Sequence, residues 1–323
     1  MFIEQAKDGR KNWWKYLVGI VLVFLGWQVI GAIPLMSVLF SKIHSLYQLE
    51  KLQNPIEIAN YLGAVPFLIL TLLMFVFGLL ALWFWIRYGH KRKFRSLVSL
   101  GRTNYKKIFS AFVITMIYNG IFLIFAYFNS PDSFQWHFDL WSFLILFLIC
   151  VFLLPFQTSF EEVLFRGYLL QWLVVLLRNK YLPLLITSVL FGLLHSFNPE
   201  VDELGWLSMI YYIGFGLFMG LITIMDDGLE LAIGFHWATN FIGFCFVSND
   251  WGVIQTQTII KNTAEPSLFM DMLLPTALLP VVYLIFSKMY KWKRISQLFK
   301  KGQLTDFGDA SESNNHPTTF KEI

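Results

Sequence analysis

The chain alternates long apolar runs with short polar segments, and runs of that length suit one environment. Stretches at 16–40, 58–86, 108–128, 140–177, 207–225, 229–247 and 268–286, with a shorter one at 182–197, are almost free of charge. Most approach or exceed the roughly 20 apolar residues that carry a helix across about 30 Å of hydrocarbon. Within a bilayer every backbone polar group must be satisfied internally, so such runs fold as helices. With 56% hydrophobic and only 14% charged residues in 323, a soluble fold would lack polar surface. The expected architecture is all-α: a polytopic helical membrane protein with about eight transmembrane helices around a polar intramembrane cavity. The run 140–177 is too long for one straight span at about 1.5 Å per residue, and Pro155 is expected to break it. Read as one broken span it gives eight crossings; read as two it gives nine.

Lys and Arg gather at 7–15, 87–107 and 288–301, whereas the loops after Phe128 and Phe197 are acidic. Cytoplasmic loops carry such an excess, and eight crossings put all three clusters on one side. The expectation is an integral protein of a bacterial plasma membrane with both termini cytoplasmic, the lipid bilayer as its surround and no nucleic-acid partner. The oligomeric state is not readable. The first run is too long for a signal-peptide core and is expected to remain as a span. Cys150 and Cys245, both in apolar runs, read as small buried hydrophobes. The chain divides into a basic N-terminus (1–15), N-terminal helices (16–139), a core carrying the polar motifs (140–250), a loop and last helix (251–290), and a polar tail (291–323) expected to be disordered.

Against this background, Glu161, Glu162 and Arg166 stand out. Ionisable groups within spans cost about 2.5–3.5 kcal/mol each on insertion scales, so they mark function by default. On a helix Glu162 and Arg166 face each other in the favourable order for an ion pair. Glu161, rotated by about 100° from its neighbour, is left to face a cavity as a base. His195 lies four residues after Phe191, and His236 four before Asn240, each pair on one helical face. A packing role for each of these groups alone is the competing reading. Together they suffice for peptide hydrolysis: Glu161 and His195 hold and deprotonate a water, while His236 and Asn240 stabilise the oxyanion.

Glu161-Glu162-x-x-x-Arg166, Phe191-x-x-x-His195 and His236-x-x-x-Asn240, in this order on successive hydrophobic segments, resemble the three motifs of the CPBP (Abi) family of intramembrane proteases, which includes the type II CAAX prenyl endopeptidases. The resemblance covers about 158–241. It implies a conical cavity, Glu161 and His195 activating water, His236 and Asn240 as the oxyanion hole, and Glu162, Arg166 and Phe191 in support. It leaves a metal open: Glu161, His195 and His236 are candidate ligands for a divalent ion such as zinc, but the His-Glu-x-x-His spacing is absent.

The leading function is an intramembrane endopeptidase cutting near the C-terminus of a membrane-associated peptide or protein, with a prenylated CAAX-type substrate as the one the family name implies. A non-catalytic role in bacteriocin self-immunity or as a scaffold is the alternative. A proton relay through Glu161 and His195 is a third, but it requires polar residues along a whole path. Glu161 and His195 also present a question of depth, since their positions along their spans differ; helix breaks at Pro155 and Pro199 are expected to bring them together.

Overall fold

The computed structural model describes residues 1–8, 12–249, 251–252 and 256–292. The polar tail lies outside these from residue 293 onward. Among the described residues eight helical segments dominate: α1 (Trp13–Lys42), α2 (Ala64–Gly89), α3 (Tyr105–Asn129), α4 (Leu140–Leu177), α5 (Tyr181–Leu193), α6 (Trp206–Asp226), α7 (Glu230–Cys245) and α8 (Leu268–Met289). Six are long and apolar enough to cross a membrane; α5, with 13 residues, and α7, with 16, are shorter. At about 1.5 Å per residue these two reach only some 20–24 Å, and neither would cross the hydrocarbon unaided.

Helix α4 carries the polar motif and its geometry follows from three local signals. Asp139 caps its start, accepting a hydrogen bond from the Ser142 backbone N–H at 2.8 Å, and that bond holds the Asp139 carboxyl below its ordinary range. Pro155 then interrupts the ladder as expected: one α-helical stretch ends at Phe152 and the next begins at Leu154. The third signal is a π-helical turn, Val163–Leu169, directly after Glu162, all of whose residues are buried. Such wide turns recur at functional sites because they re-aim the side chains on either side. Gly167 lets the loop carbonyl of Leu97 lie against this turn where a Cβ would overlap it.

The two ends of the bundle differ in construction. At the end bearing the basic loops, Phe2–Lys7 forms a short 3-10 helix whose Phe2, Ile3 and Ala6 are buried, so the N-terminus is more than the simple basic segment expected from its charges. The Phe2 backbone N–H donates to Asp227 at 2.9 Å, and Lys107 pairs with Asp226 at 2.8 Å. At the opposite end three strands of three residues each form a sheet in the order β1-β3-β2, namely Phe134–Trp136, Ile260–Asn262 and Val247–Asn249. β1 runs antiparallel and β2 parallel to β3. These strands were too short to leave a periodic signal in an otherwise all-α chain.

Helix α7 packs along α3 and against α4, deep in the bundle. The contact with α3 depends on Gly234, where an added Cβ would overlap the Ile108 carbonyl and crowd Ala111. Gly234→Ala is therefore expected to lower the thermal midpoint of the detergent-solubilised protein, by an overpacking cost of about 1–3 kcal/mol. Gly120→Ala, where a Cβ meets nothing within 4 Å, should leave that midpoint unchanged or raise it slightly.

Candidate active site

Glu162 is fully buried and one of its oxygens serves two donors. Its Oε1 accepts from Arg166 Nη1 at 3.0 Å, the expected pairing through one turn, and lies 2.8 Å from His236 Nδ1. Arg166 extends the link by donating through Nη2 to the Gly216 carbonyl at 3.1 Å, while the Phe191 ring lies over its guanidinium at 4.5 Å. One carboxylate thus ties α4 to α7, and its arginine ties α4 to α6. Two charged groups removed from water gain their mutual attraction only when further hydrogen bonds satisfy them; the histidine and the carbonyl supply two such bonds here, while Glu162 Oε2 stays buried without a hydrogen-bond partner.

Glu161 points elsewhere. Its Oε1 accepts from Gln157 Nε2 at 2.6 Å, and Gln157 in turn accepts from Asn240 Nδ2 at 3.0 Å. Its Oε2 faces His236 Nε2 at 3.6 Å, a separation too long for a hydrogen bond, and is a buried acceptor with no hydrogen-bond partner. His236 therefore stands between the two carboxylates, Nδ1 on Glu162 and Nε2 toward Glu161. That bridging was not expected from the sequence, which paired Glu162 with Arg166 alone and set His236 beside Glu161 only as a possible fellow ligand of a metal.

His195 lies just beyond α5 in a hydrogen-bonded turn, rather than inside a helix as its apolar run suggested. Asn198-Pro199 starts the short helix Pro199–Leu204 and leaves this turn room to bend. Its Nδ1 sits 2.9 Å from the Phe191 carbonyl, which can only accept, so Nδ1 carries the proton and Nε2 of the neutral ring has a free lone pair. The ring stacks on Tyr212, with centroids 4.6 Å apart and an interplanar angle of 19°. Tyr212 accepts from Asn198 at 3.3 Å, which holds the stack in place.

Glu161, His195, His236 and Asn240 all line one cavity of about 910 Å³, with Gln157 and Phe191. The difference in depth between Glu161 and His195 is thus absorbed by the break in α4 and the turn after α5. Glu162 and Arg166 stay behind the cavity wall. Gln157 and Tyr212 went unnoticed in the sequence. Gln157 had a signal, an amide in an apolar run four residues before Glu161; Tyr212 had none, because it reaches His195 from another helix. Glu161, His195 and His236 share the cavity, but among the described residues no group of three or more His, Cys, Asp or Glu side chains is arranged to hold an ion. The donor geometry does not fit the zinc site that the resemblance left open.

Comparison with known proteins places this constellation. Residues 136–242 match the family model described as type II CAAX prenyl endopeptidase Rce1-like. All seven motif residues fall inside that range. The family resemblance read from the three motifs therefore holds for this Rce1-like region. An uncharacterized protein of Bacillus subtilis (strain 168), YyaK, is 28% identical over 244 residues, covering 75% of this chain and 80% of the relative. No solved structure matches. The Rce1-like region contains the entire hydrogen-bonded set from Gln157 to Asn240, whereas α1, α2, α3 and α8 lie outside it.

Removing one member of a buried ion pair strands the other. Arg166→Met should destabilise the protein by about 3–5 kcal/mol, seen as a lower thermal midpoint and poor yield. Replacing both partners, Glu162→Gln with Arg166→Met, should recover part of that loss, since no lone charge remains.

Proposed function

We propose that the protein is an intramembrane endopeptidase that hydrolyses a peptide bond near the C-terminus of a membrane-associated substrate with water activated by Glu161. The observation that carries this reading is the Oε2 atom of Glu161: a buried acceptor without a hydrogen-bond partner, on a cavity that His195, His236 and Asn240 also line. The other carboxylate oxygen is held by Gln157, so one atom is fixed and the other is left for chemistry. Water positioned between Glu161 Oε2 and the bare Nε2 of His195 gives up a proton to the carboxylate as its oxygen attacks the substrate carbonyl. The charge that develops on the carbonyl oxygen is met by N–H groups of Asn240 and, in the protonated ring, His236 Nε2. As the carbon–nitrogen bond breaks, Glu161 returns the proton to the leaving amine.

Glu162 and Arg166 act in this scheme through His236, whose Nδ1 the carboxylate orients. Gln157 likewise positions Glu161 and Asn240 together. The family description names CAAX prenyl substrates, so a peptide ending in a farnesylated Cys-a-a-X box and its unlipidated counterpart are the first probes to use.

In proteoliposomes, Glu161→Gln should lower turnover of a cleaved quenched-fluorescent probe by about 10²–10⁴-fold, the usual loss of a general base. Asn240→Ala should cost about 10²–10³-fold in kcat, with little change in KM, as expected of an oxyanion donor. Full turnover in both variants would end the reading and return the protein to a scaffolding or immunity role. A strong chelator should leave turnover intact; its loss would bring a metal back into the site.

A further inference from the structure

The cavity has a closed end and an open one, and the two coincide with the charge asymmetry of the chain. Outward from Glu161, its walls come from the halves of the helices remote from the basic loops. The mouth is marked by Asn129, Ser130, Phe134, Asn249, Asn262 and Asp271. No residue of the loops 87–107, 178–180 or 226–229 lines it. Beneath the site, toward those loops, the bundle is plugged by packed side chains. Tyr16 stacks on Trp172 with centroids 5.2 Å apart, Arg92 donates to Gln171 at 2.8 Å, and His90 lies 3.0 Å from the Tyr168 hydroxyl. The short helix Phe2–Lys7 packs below, with Phe2 and Ile3 buried.

Among the Lys and Arg of the described residues, only Lys42, Lys51 and Lys261 belong to segments at the mouth end, while Glu200, Glu265 and Asp271 line the cavity there. Short loops rich in Lys and Arg stay in the cytoplasm. We infer that the cavity opens on the non-cytoplasmic face and that the substrate is a membrane-associated peptide presented from outside, entering past the β1-β3-β2 sheet. This inference rests on the proteolytic reading for what happens to that peptide, but not for the side from which the cavity is reached. It adds exported or outward-facing membrane peptides to the probes named above.

Two measurements separate the claims. Thr263→Cys at the mouth end and Gly101→Cys in a basic loop both replace exposed residues, and the native Cys150 and Cys245 are buried. With a membrane-impermeant maleimide on intact cells, Thr263→Cys should label at least 10-fold faster than Gly101→Cys, the difference vanishing on permeabilisation. The reverse order would overturn the inference whether or not the protein is a protease. In right-side-out vesicles, conjugating a bulky polyethylene glycol maleimide to Ser130→Cys should reduce cleavage of an externally added, membrane-anchored quenched peptide at least 10-fold. Undiminished cleavage would overturn entry through this mouth, whereas a probe left uncut even by the unmodified protein would count against the proteolytic reading and leave the labelling result to decide sidedness.

Discussion

One oxygen, Oε1 of Glu162, holds the centre of this protein together. It accepts from Arg166 on its own helix and from His236 on α7, and Arg166 reaches a carbonyl of α6. Three helices are therefore joined through a charge that hydrocarbon would otherwise exclude. Helix association in a membrane lacks a hydrophobic drive between helices, so packing and interhelical hydrogen bonds must specify it. A buried ionic link is a poor source of net stability, but its demand for a particular set of donors permits few alternative arrangements. The orientation of His236, and with it the spacing between the two carboxylates, follows from that demand.

Around the hub the chain separates rigid support from open space. Phe191 covers the guanidinium and Phe160 fills the groove against Gly78, while the π-helical turn seats Gly167 under the Leu97 carbonyl. On the other side of the same helix Glu161, Gln157 and Asn240 form a polar chain along a cavity wall. Adjacent carboxylates thus occupy unlike surroundings: each has one oxygen held and one without a hydrogen-bond partner, but Glu162 is sealed behind the wall while Glu161 lines the cavity. Unlike environments for paired acids are how a site assigns them different tasks.

The Rce1-like region and the cavity do not have the same boundaries. The matched residues 136–242 supply the polar base of the cavity, whereas Trp27, Phe75, Asn119 and Asn129 before them and Asn249, Asn262 and Asp271 after them supply its walls and mouth. The polar motif residues therefore sit in the matched region while much of the cavity's wall and mouth is drawn from helices and strands outside it.

Much of this was legible in the residues alone. Apolar runs long enough to cross hydrocarbon determined a helical membrane fold, because a helix satisfies its own backbone there and needs about 20 such residues, whereas a strand of a closed barrel needs only about ten. The i,i+4 spacing of Glu162 and Arg166 determined their pairing, and Pro155 the break in α4. Spacing within one helix could not reveal contacts between helices. That His236 bridges both glutamates, that Gln157 connects Glu161 to Asn240, and that Tyr212 stacks on His195 depend on how α4, α5, α6 and α7 cross. The sequence also placed His195 within a span, but the end of α5 at Leu193 puts it in a turn whose bend brings it to the cavity. Three-residue strands left no pattern to read, since their pairing partners lie far apart in the chain. Local chemistry was decided by sequence; its assembly into one cavity, closed at the basic end, was decided by tertiary packing around a charge that could not be left alone.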